Sequence, residues 1–469
     1  MSHRFGLRPS MRAVGGAVAL ALLLAGCEGK YGVSDPPNAP SLDGQLRQSL
    51  GQWGAIPIGN VPVQNPALVD LGRSLFFDKL LSGNRDISCA TCHSASAHAG
   101  DGLSLSIGTG GVGTGTARTL GAGRQFVPRN APTLLNVGLG LFYMFWDARV
   151  SEGGPFGGPA ANGRFNTSTS VVLPSGVANL LAAQAMFPVA NRDEMRGKPG
   201  DVDRFGAPNE LAQLGDSAFT DVWKGVMQRL VAVPEYVTKF QAAYPGAQVE
   251  SLGFEYAANA IAAFEVQELT RKASPFDRYL AREDGALSTE AKRGGLLFFG
   301  KARCSQCHSG ALLGGQQFAN AAVPQIGPGV GASAPLDKGI GGVQKQLVGW
   351  QFAFRVPPLR NVELTAPYMH DGAFPTLESV VVHYNDVDKA LRTYDVSQLD
   401  PALRAMYHGD ATTISALLNN LDGRLRLPLD LTDAEQKQLV AFLKSLTDPA
   451  ARELGSIVPA RVPSGLPVP

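Results

Sequence analysis

Apolar positions recur with a helical period in four stretches of the chain, and these fall into two matching pairs. "DLGRSLFFDKLLSGNRDISCATCH" and "AKRGGLLFFGKARCSQCH" each read as a helix ending in a Leu-Phe-Phe block, then a short loop, then a Cys-x-x-Cys-His motif. Downstream of the first, "FEYAANAIAAFEVQEL" sets Phe254, Ala257, Ala258, Ile261 and Phe264–Glu265 at helical spacing. Downstream of the second, "TDAEQKQLVAFLKSL" opens with Thr432 and Glu435 as a capping box and turns Leu439, Phe442, Leu443 and Leu446 to one side. The pattern predicts a mainly α chain with a diverged internal duplication. Its halves join near Arg282–Ala286, separated from other elements by long irregular Gly/Pro-rich loops.

The cysteines change this picture most. Cys89 and Cys92 precede His93, and Cys304 and Cys307 precede His308. No thioredoxin-like βαβ pattern surrounds either pair, which argues against a redox dithiol. A histidine directly after the second cysteine has poor geometry for sharing one tetrahedral zinc. The remaining reading is covalent haem c, twice: two thiols attached to the vinyl groups and the adjacent histidine as an iron ligand. Helix, haem motif and closing helix are the parts of a cytochrome c domain, so two such domains are expected.

The other end of the chain carries an address. His3, Arg4, Arg8 and Arg12 precede an apolar run from Val14 to Ala25, which is too short to span a bilayer and reads as a signal peptide. It ends in "LAGC", similar to a bacterial lipobox, with Cys27 as the lipidated residue. Glu28 after it points to the outer membrane of a Gram-negative bacterium, facing the periplasm. Residues 28–56 read as a tether and 451–469 as a disordered Pro-rich tail. With Cys27 lipidated and four cysteines in the motifs, none is left for a disulfide. Net charge is +1, which excludes an electrostatic nucleic-acid binder. "GTGGVG" at 108–113 fits G-x-G-x-x-G, but no strand precedes it and no helix follows, so it reads as a loop beside a haem.

Beyond the haem motifs, "LGRSLFFD", "PRNAPTLLN", "FWDARV", "RDEM", "PFDRYL" and "VPPLRNVELTAPYMHDG" occur in order. With them the chain, from about Pro66 to Leu446, resembles the bacterial diheme cytochrome c peroxidase superfamily, which includes the MauG group. The resemblance implies an N-terminal domain (57–283) whose haem meets hydrogen peroxide, with His93 as its ligand. It implies a C-terminal domain (284–450) whose haem, held by His308, relays electrons. Trp146 matches the tryptophan between the haems, Glu194 the distal acid, Gln184 the distal glutamine and Pro188 a distal proline. Asn130, Thr365 and Pro367 match ligands of one interhaem Ca²⁺. A Gly-rich insertion at 151–177 separates Trp146 from Gln184.

Two departures from the family pattern bear on function. Many members block the peroxide haem with a histidine after the first motif, where this chain has Thr109; His98 is the nearest alternative. The relay haem's second ligand is Met in many members, and here the position falls on Tyr384, as in the MauG group, with Met369 and His383 as alternatives. Three functions follow as expectations. One is a peroxidase drawing electrons from a small cytochrome c or copper protein. The second is a MauG-like oxidase that stores two oxidising equivalents across both haems and modifies residues of a partner protein. The third is a plain electron carrier, which has no use for an open site facing an acid.

Overall fold

The computed structural model describes residues 40–153, 164–167, 171–343, 347 and 349–469. The leader, Cys27 and much of the 151–177 insertion lie outside them. Two helix pairs organise what is described. The Pro66–Phe77 helix packs on Phe254–Glu268, and Thr289–Phe299 packs on Asp433–Lys444. Pro66 sits at the first helical position behind the cap Asn65, and Ser288 caps its helix through the Ala291 amide. Thr432 and Glu435 close their capping box reciprocally.

The two crossings make matching close contacts. A Cβ on Gly72 would stand 1.9 Å from the Ala260 carbonyl oxygen and 2.9 Å from Phe264 Cβ; a Cβ on Gly294 would stand 1.9 Å from the Gln438 oxygen and 2.9 Å from Phe442 Cβ. Only glycine lets these backbones touch. Around the first crossing, the Phe264 ring lies 5.1 Å from Phe76 and 6.1 Å from Phe77. Around the second, the Phe442 ring lies 5.1 Å from Phe298 and 5.9 Å from Phe299. The Leu-Phe-Phe blocks are thus the aromatic plugs of two equivalent helix pairs, one beside each Cys-x-x-Cys-His motif.

The ends of the chain correct the expected boundaries. Residues 41–56 are not all tether: Leu42–Gln52 is a helix capped by Ser41, and its Leu46 and Leu50 are buried in the second core. Nor is 451–469 disordered. Ala451, Leu454, Ile457, Val462 and Leu466 are buried in the first core, and Ser464 Oγ donates to Asp78 at 2.6 Å. The two ends are exchanged: the N-terminal helix completes the C-terminal core, and the C-terminal tail completes the N-terminal one. Apolar burial at about 25 cal/mol per Å² outweighs the disorder that a Pro-rich composition suggests. The change of core also precedes Arg282–Ala286. Leu269 belongs to the first cluster, whereas Phe276 and Tyr279 of "PFDRYL" belong to the second.

Candidate active site between the two halves

"FWDARV" forms the loop of a β-hairpin. Tyr143–Met144 pairs antiparallel with Val150–Glu152, and Phe165–Thr167 adds a third strand. Phe145 and Ala148 take left-handed backbone angles, φ 65° and 54°, which tighten the turn between the strands. Trp146 Nε1 donates to the Asn130 carbonyl at 3.0 Å, and its own carbonyl accepts from the Arg355 amide at 2.8 Å. Arg355 lies on the Phe318–Ala319/Phe354–Arg355 ribbon of the second half. Trp146 therefore joins the halves, its indole tied to the first and its backbone carbonyl to the second.

Glu194 lies in a single turn of π-helix, Arg192–Arg196, capped by Asn191, whose Oδ1 accepts from the amides of Asp193 and Glu194. Two loops grip this turn. The Gly83 amide donates to Met195 O at 2.7 Å, and the Thr109 amide donates to Glu194 O at 2.8 Å. Gly108 permits the second approach: a Cβ there would meet the Asp193 oxygen at 1.9 Å and the Glu194 oxygen at 2.4 Å. The "GTGGVG" segment is therefore a loop braced against the Glu194 turn. Burial raises the pKa of the Glu194 carboxyl; Arg149 pulls it back, Asp193 and Asp147 push it further up, and Arg129 opposes them. Gln184 is half-buried near the end of the Leu180–Ala185 helix, and Pro188 opens the short turn that follows.

The two Cys-x-x-Cys-His motifs are built alike. His93 Nδ1 lies 3.1 Å from Ala99 O, and His308 Nδ1 lies 3.0 Å from Leu313 O. A carbonyl only accepts, so each Nδ1 carries the hydrogen and each Nε2 keeps its lone pair. Burial pushes both imidazoles down to about 4. Burial likewise raises the thiols, Cys89 and Cys304 to about 12. All four motif cysteines are free of disulfides. Neutral histidines with an open Nε2 beside paired, unbridged thiols fit a covalently held haem at each motif.

The open-face question has a structural side. Thr109 is buried, with its hydroxyl donating to Asp86 at 2.7 Å. His98 Nδ1 donates to Ala451 O of the C-terminal tail at 3.2 Å. In the second half, Tyr384 sits on the Leu377–Asn385 helix. Burial raises its phenol pKa, with Cys307 and Cys304 next among the causes. His383, on the same helix, donates from Nε2 to Ala321 O at 2.9 Å. Met369 holds a left-handed φ of 76° in its loop.

Asn130 and Thr365 line one small cavity, together with Thr133, Ala366 and Asp101. Asn130 Nδ2 donates to Leu103 O at 2.7 Å, leaving its oxygen for a hard cation. Pro367 follows this wall without lining the cavity. Asp101 was missed by the sequence reading. It is buried, with Oδ2 free of any partner, and burial pushes it up to about 6.

Glu265 is a second residue whose character the apolar helix pattern hid. It is 4% exposed, its Oε2 has no partner, and burial alone pushes it up to about 8. The matched crossings place Leu443 at its equivalent in the second half. Because the folded-state pKa lies above the ordinary 4.5, this group favours folding most below pH 4.5 and loses that contribution as pH rises to 8. The loss is at most about 4 kcal/mol. Chemical unfolding of the haem-loaded protein at pH 5 and pH 8 checks this. Glu265→Leu is expected to lose less stability than the parent between the two pH values. Parallel losses in both proteins would remove Glu265 as the cause.

A family model described as "Di-haem cytochrome c peroxidase" matches residues 66–285. The cytochrome c551 peroxidase of Pseudomonas aeruginosa is 31% identical over 355 residues, spanning 76% of this chain and 78% of that protein. The chain belongs to the di-haem cytochrome c peroxidase family. The methylamine utilization protein MauG of Methylorubrum extorquens is 27% identical over 444 residues, covering 92% of this chain and 96% of that protein. Among solved structures, a MauG-like protein associated with microbial copper homeostasis superposes with TM-score 0.57 at 26% identity, covering 86% of this chain and 97% of that one. The family's members bear both peroxidase and MauG names, and membership makes this chain an oxidoreductase acting on peroxide, with two haems implied. No helix among the described residues is long and apolar enough to cross a membrane.

Proposed function

We propose that the chain is a diheme c-type peroxidase whose first half cleaves hydrogen peroxide and whose second half relays electrons from a small cytochrome c or copper protein. Cys89 and Cys92 hold one haem, with His93 as ligand. Cys304 and Cys307 hold the other, with His308 and Tyr384 as ligands. Each haem supplies an iron that exchanges electrons, and the first also binds peroxide. Glu194 takes the proton from the near peroxide oxygen and returns it to the departing one, a task that needs a carboxyl poised between its two protonation states. Gln184 orients the peroxide, Pro188 walls the pocket, and Trp146 shortens the electron's path between halves. The observation that carries this reading is Glu194 on its braced turn, beside Thr109, which stands where many members place a blocking histidine and donates its hydroxyl to Asp86. An electron carrier needs no such acid.

A second reading rests on Tyr384, whose buried phenol feels the charges of Cys307 and Cys304. A phenolate ligand favours oxidised iron and suits a site that holds an oxidising equivalent for a partner protein, as MauG-like chemistry requires. Asn130, Thr365 and the Pro367 segment, with Asp101, are assigned to one Ca²⁺ between the halves. Cys27 is assigned to a lipid anchor on the periplasmic side of the outer membrane. Peroxide turnover measured with and without a reduced small cytochrome c separates the two readings. Turnover that rises with the cytochrome's concentration supports the peroxidase. Slow turnover indifferent to it, with oxidation appearing in an added protein substrate, supports the second.

A further inference from the structure

The hairpin loop that carries Trp146 also carries a cation directed at Glu194. Arg149 Nη2 stands 3.8 Å from Glu194 Oε1, and Arg149 Nη1 stands 3.2 Å from Asp147 Oδ2. The guanidinium lies over the Phe145 ring, 3.6 Å from its centroid. Asp147 is 1% exposed, and although burial works against its charge, Arg129 and Arg149 hold it at about 2. Arg129 donates to Asp147 at 2.5 Å and forks onto Asp337 of the second half at 2.6 and 2.9 Å. Arg149 is thus held on one side by a ring and on another by a carboxylate that is itself anchored across the two halves.

The sequence Glu194–Arg149–Asp147–Arg129–Asp337 alternates in sign. Three acids against two arginines leave one negative charge, and a proton on Glu194 removes it. At 3.8 Å the Arg149–Glu194 contact is an ion pair and not a bidentate clasp. A clasp would lock Glu194 as a carboxylate. A loose pair steers it and leaves an oxygen free to take and release a proton.

We propose that Arg149 is the positioning residue of Glu194: it directs the carboxyl toward the peroxide and keeps it available in both protonation states. This rests on Glu194 being the distal acid. Trp146 and Arg149 then share one loop because the electron's path and the proton's donor must be fixed in the same frame.

The test is peroxide consumption by the haem-loaded protein from pH 5 to 9 in Arg149→Met, Arg149→Lys, Glu194→Gln and the Arg149→Met/Glu194→Gln double variant. The groups that set the acid limb of kcat/KM are Glu194 and those facing it: Arg149, Asp193, Asp147 and Arg129, with Lys198 paired to Asp193. Losing the cation should move that limb up by about one pH unit and cut the rate at neutral pH about tenfold. Arg149→Lys keeps the charge and should keep the limb within a few tenths of a unit. In the Glu194→Gln background, Arg149→Met should cost less than about twofold, because no acid remains to position. An unmoved limb in Arg149→Met, or the same loss with and without Glu194, overturns the assignment. Full turnover in Glu194→Gln overturns instead the reading on which it rests. Should Arg149→Met load haem poorly, Arg149→Gln runs the same cycle.

Discussion

Glu194→Gln is expected to slow peroxide cleavage by about 100- to 10,000-fold, the range for loss of one general acid–base group, with haem spectra unchanged. The amide keeps the shape of the carboxyl and the backbone contacts of its turn. The Asn191 cap, the Thr109 amide on Glu194 O and the Gly83 amide on Met195 O involve no Glu194 side-chain atom. Folding and haem loading should therefore survive, and the loss should appear in the rate. Gln184→Ala should cost less, because an amide orients peroxide without moving its proton. Stopped-flow peroxide consumption checks both. An unchanged rate with Glu194→Gln would remove the residue from the mechanism, and a loss of haem binding would make it a structural residue.

Tyr384→Phe is expected to abolish the low-spin six-coordinate signal of the second haem while leaving peroxide consumption at the first. Burial raises the phenol's pKa, with Cys307 and Cys304 next among the causes, and its neighbour His383 donates from Nε2 to the Ala321 carbonyl while its buried Nδ1 has no partner. Removing one oxygen from an otherwise unchanged ring should leave packing of the Leu377–Asn385 helix intact. Electron paramagnetic resonance of the oxidised protein reads the outcome. Near-infrared spectra exclude a competitor, since a methionine–iron charge-transfer band would assign the site to Met369. Unchanged low-spin signals in Tyr384→Phe would equally overturn the tyrosine ligand.

Much of the fold was legible because its chemistry demands fixed spacing. A Cys-x-x-Cys-His motif tolerates no insertion, and two helices meeting at a glycine leave Gly72 with Phe264 and Gly294 with Phe442 in matched positions. What was hidden depends on residues far apart in sequence. Nothing local marks Ala451, Leu454, Ile457, Val462 and Leu466 as core, because the surface that buries them belongs to the opposite end of the chain. Leu46 and Leu50 were lost within a polar stretch for the same reason. At the candidate site, Trp146 and Glu194 sit in recognisable short motifs. Arg149 lies in the same motif as Trp146, but its role depends on a hairpin that turns it toward Glu194, about 45 residues away. Asp101 was passed over because a lone acid in a loop is ordinarily solvated, and Glu265, set on the apolar helix spacing, was not weighed as an acid. Here each is buried with a partnerless oxygen.

The measurement that tests the central claim most directly is rapid mixing of the fully oxidised, haem-loaded protein with one equivalent of hydrogen peroxide, followed optically at both haems. On this account the peroxide site is open, because Thr109 stands where many members place a blocking histidine, and its hydroxyl donates to Asp86. Peroxide should be consumed at once, without prior reduction, and Glu194→Gln should slow that reaction. A protein that ignores peroxide until one electron has been added would contradict this. A rearrangement bringing His98 onto the iron would then be the first thing to seek.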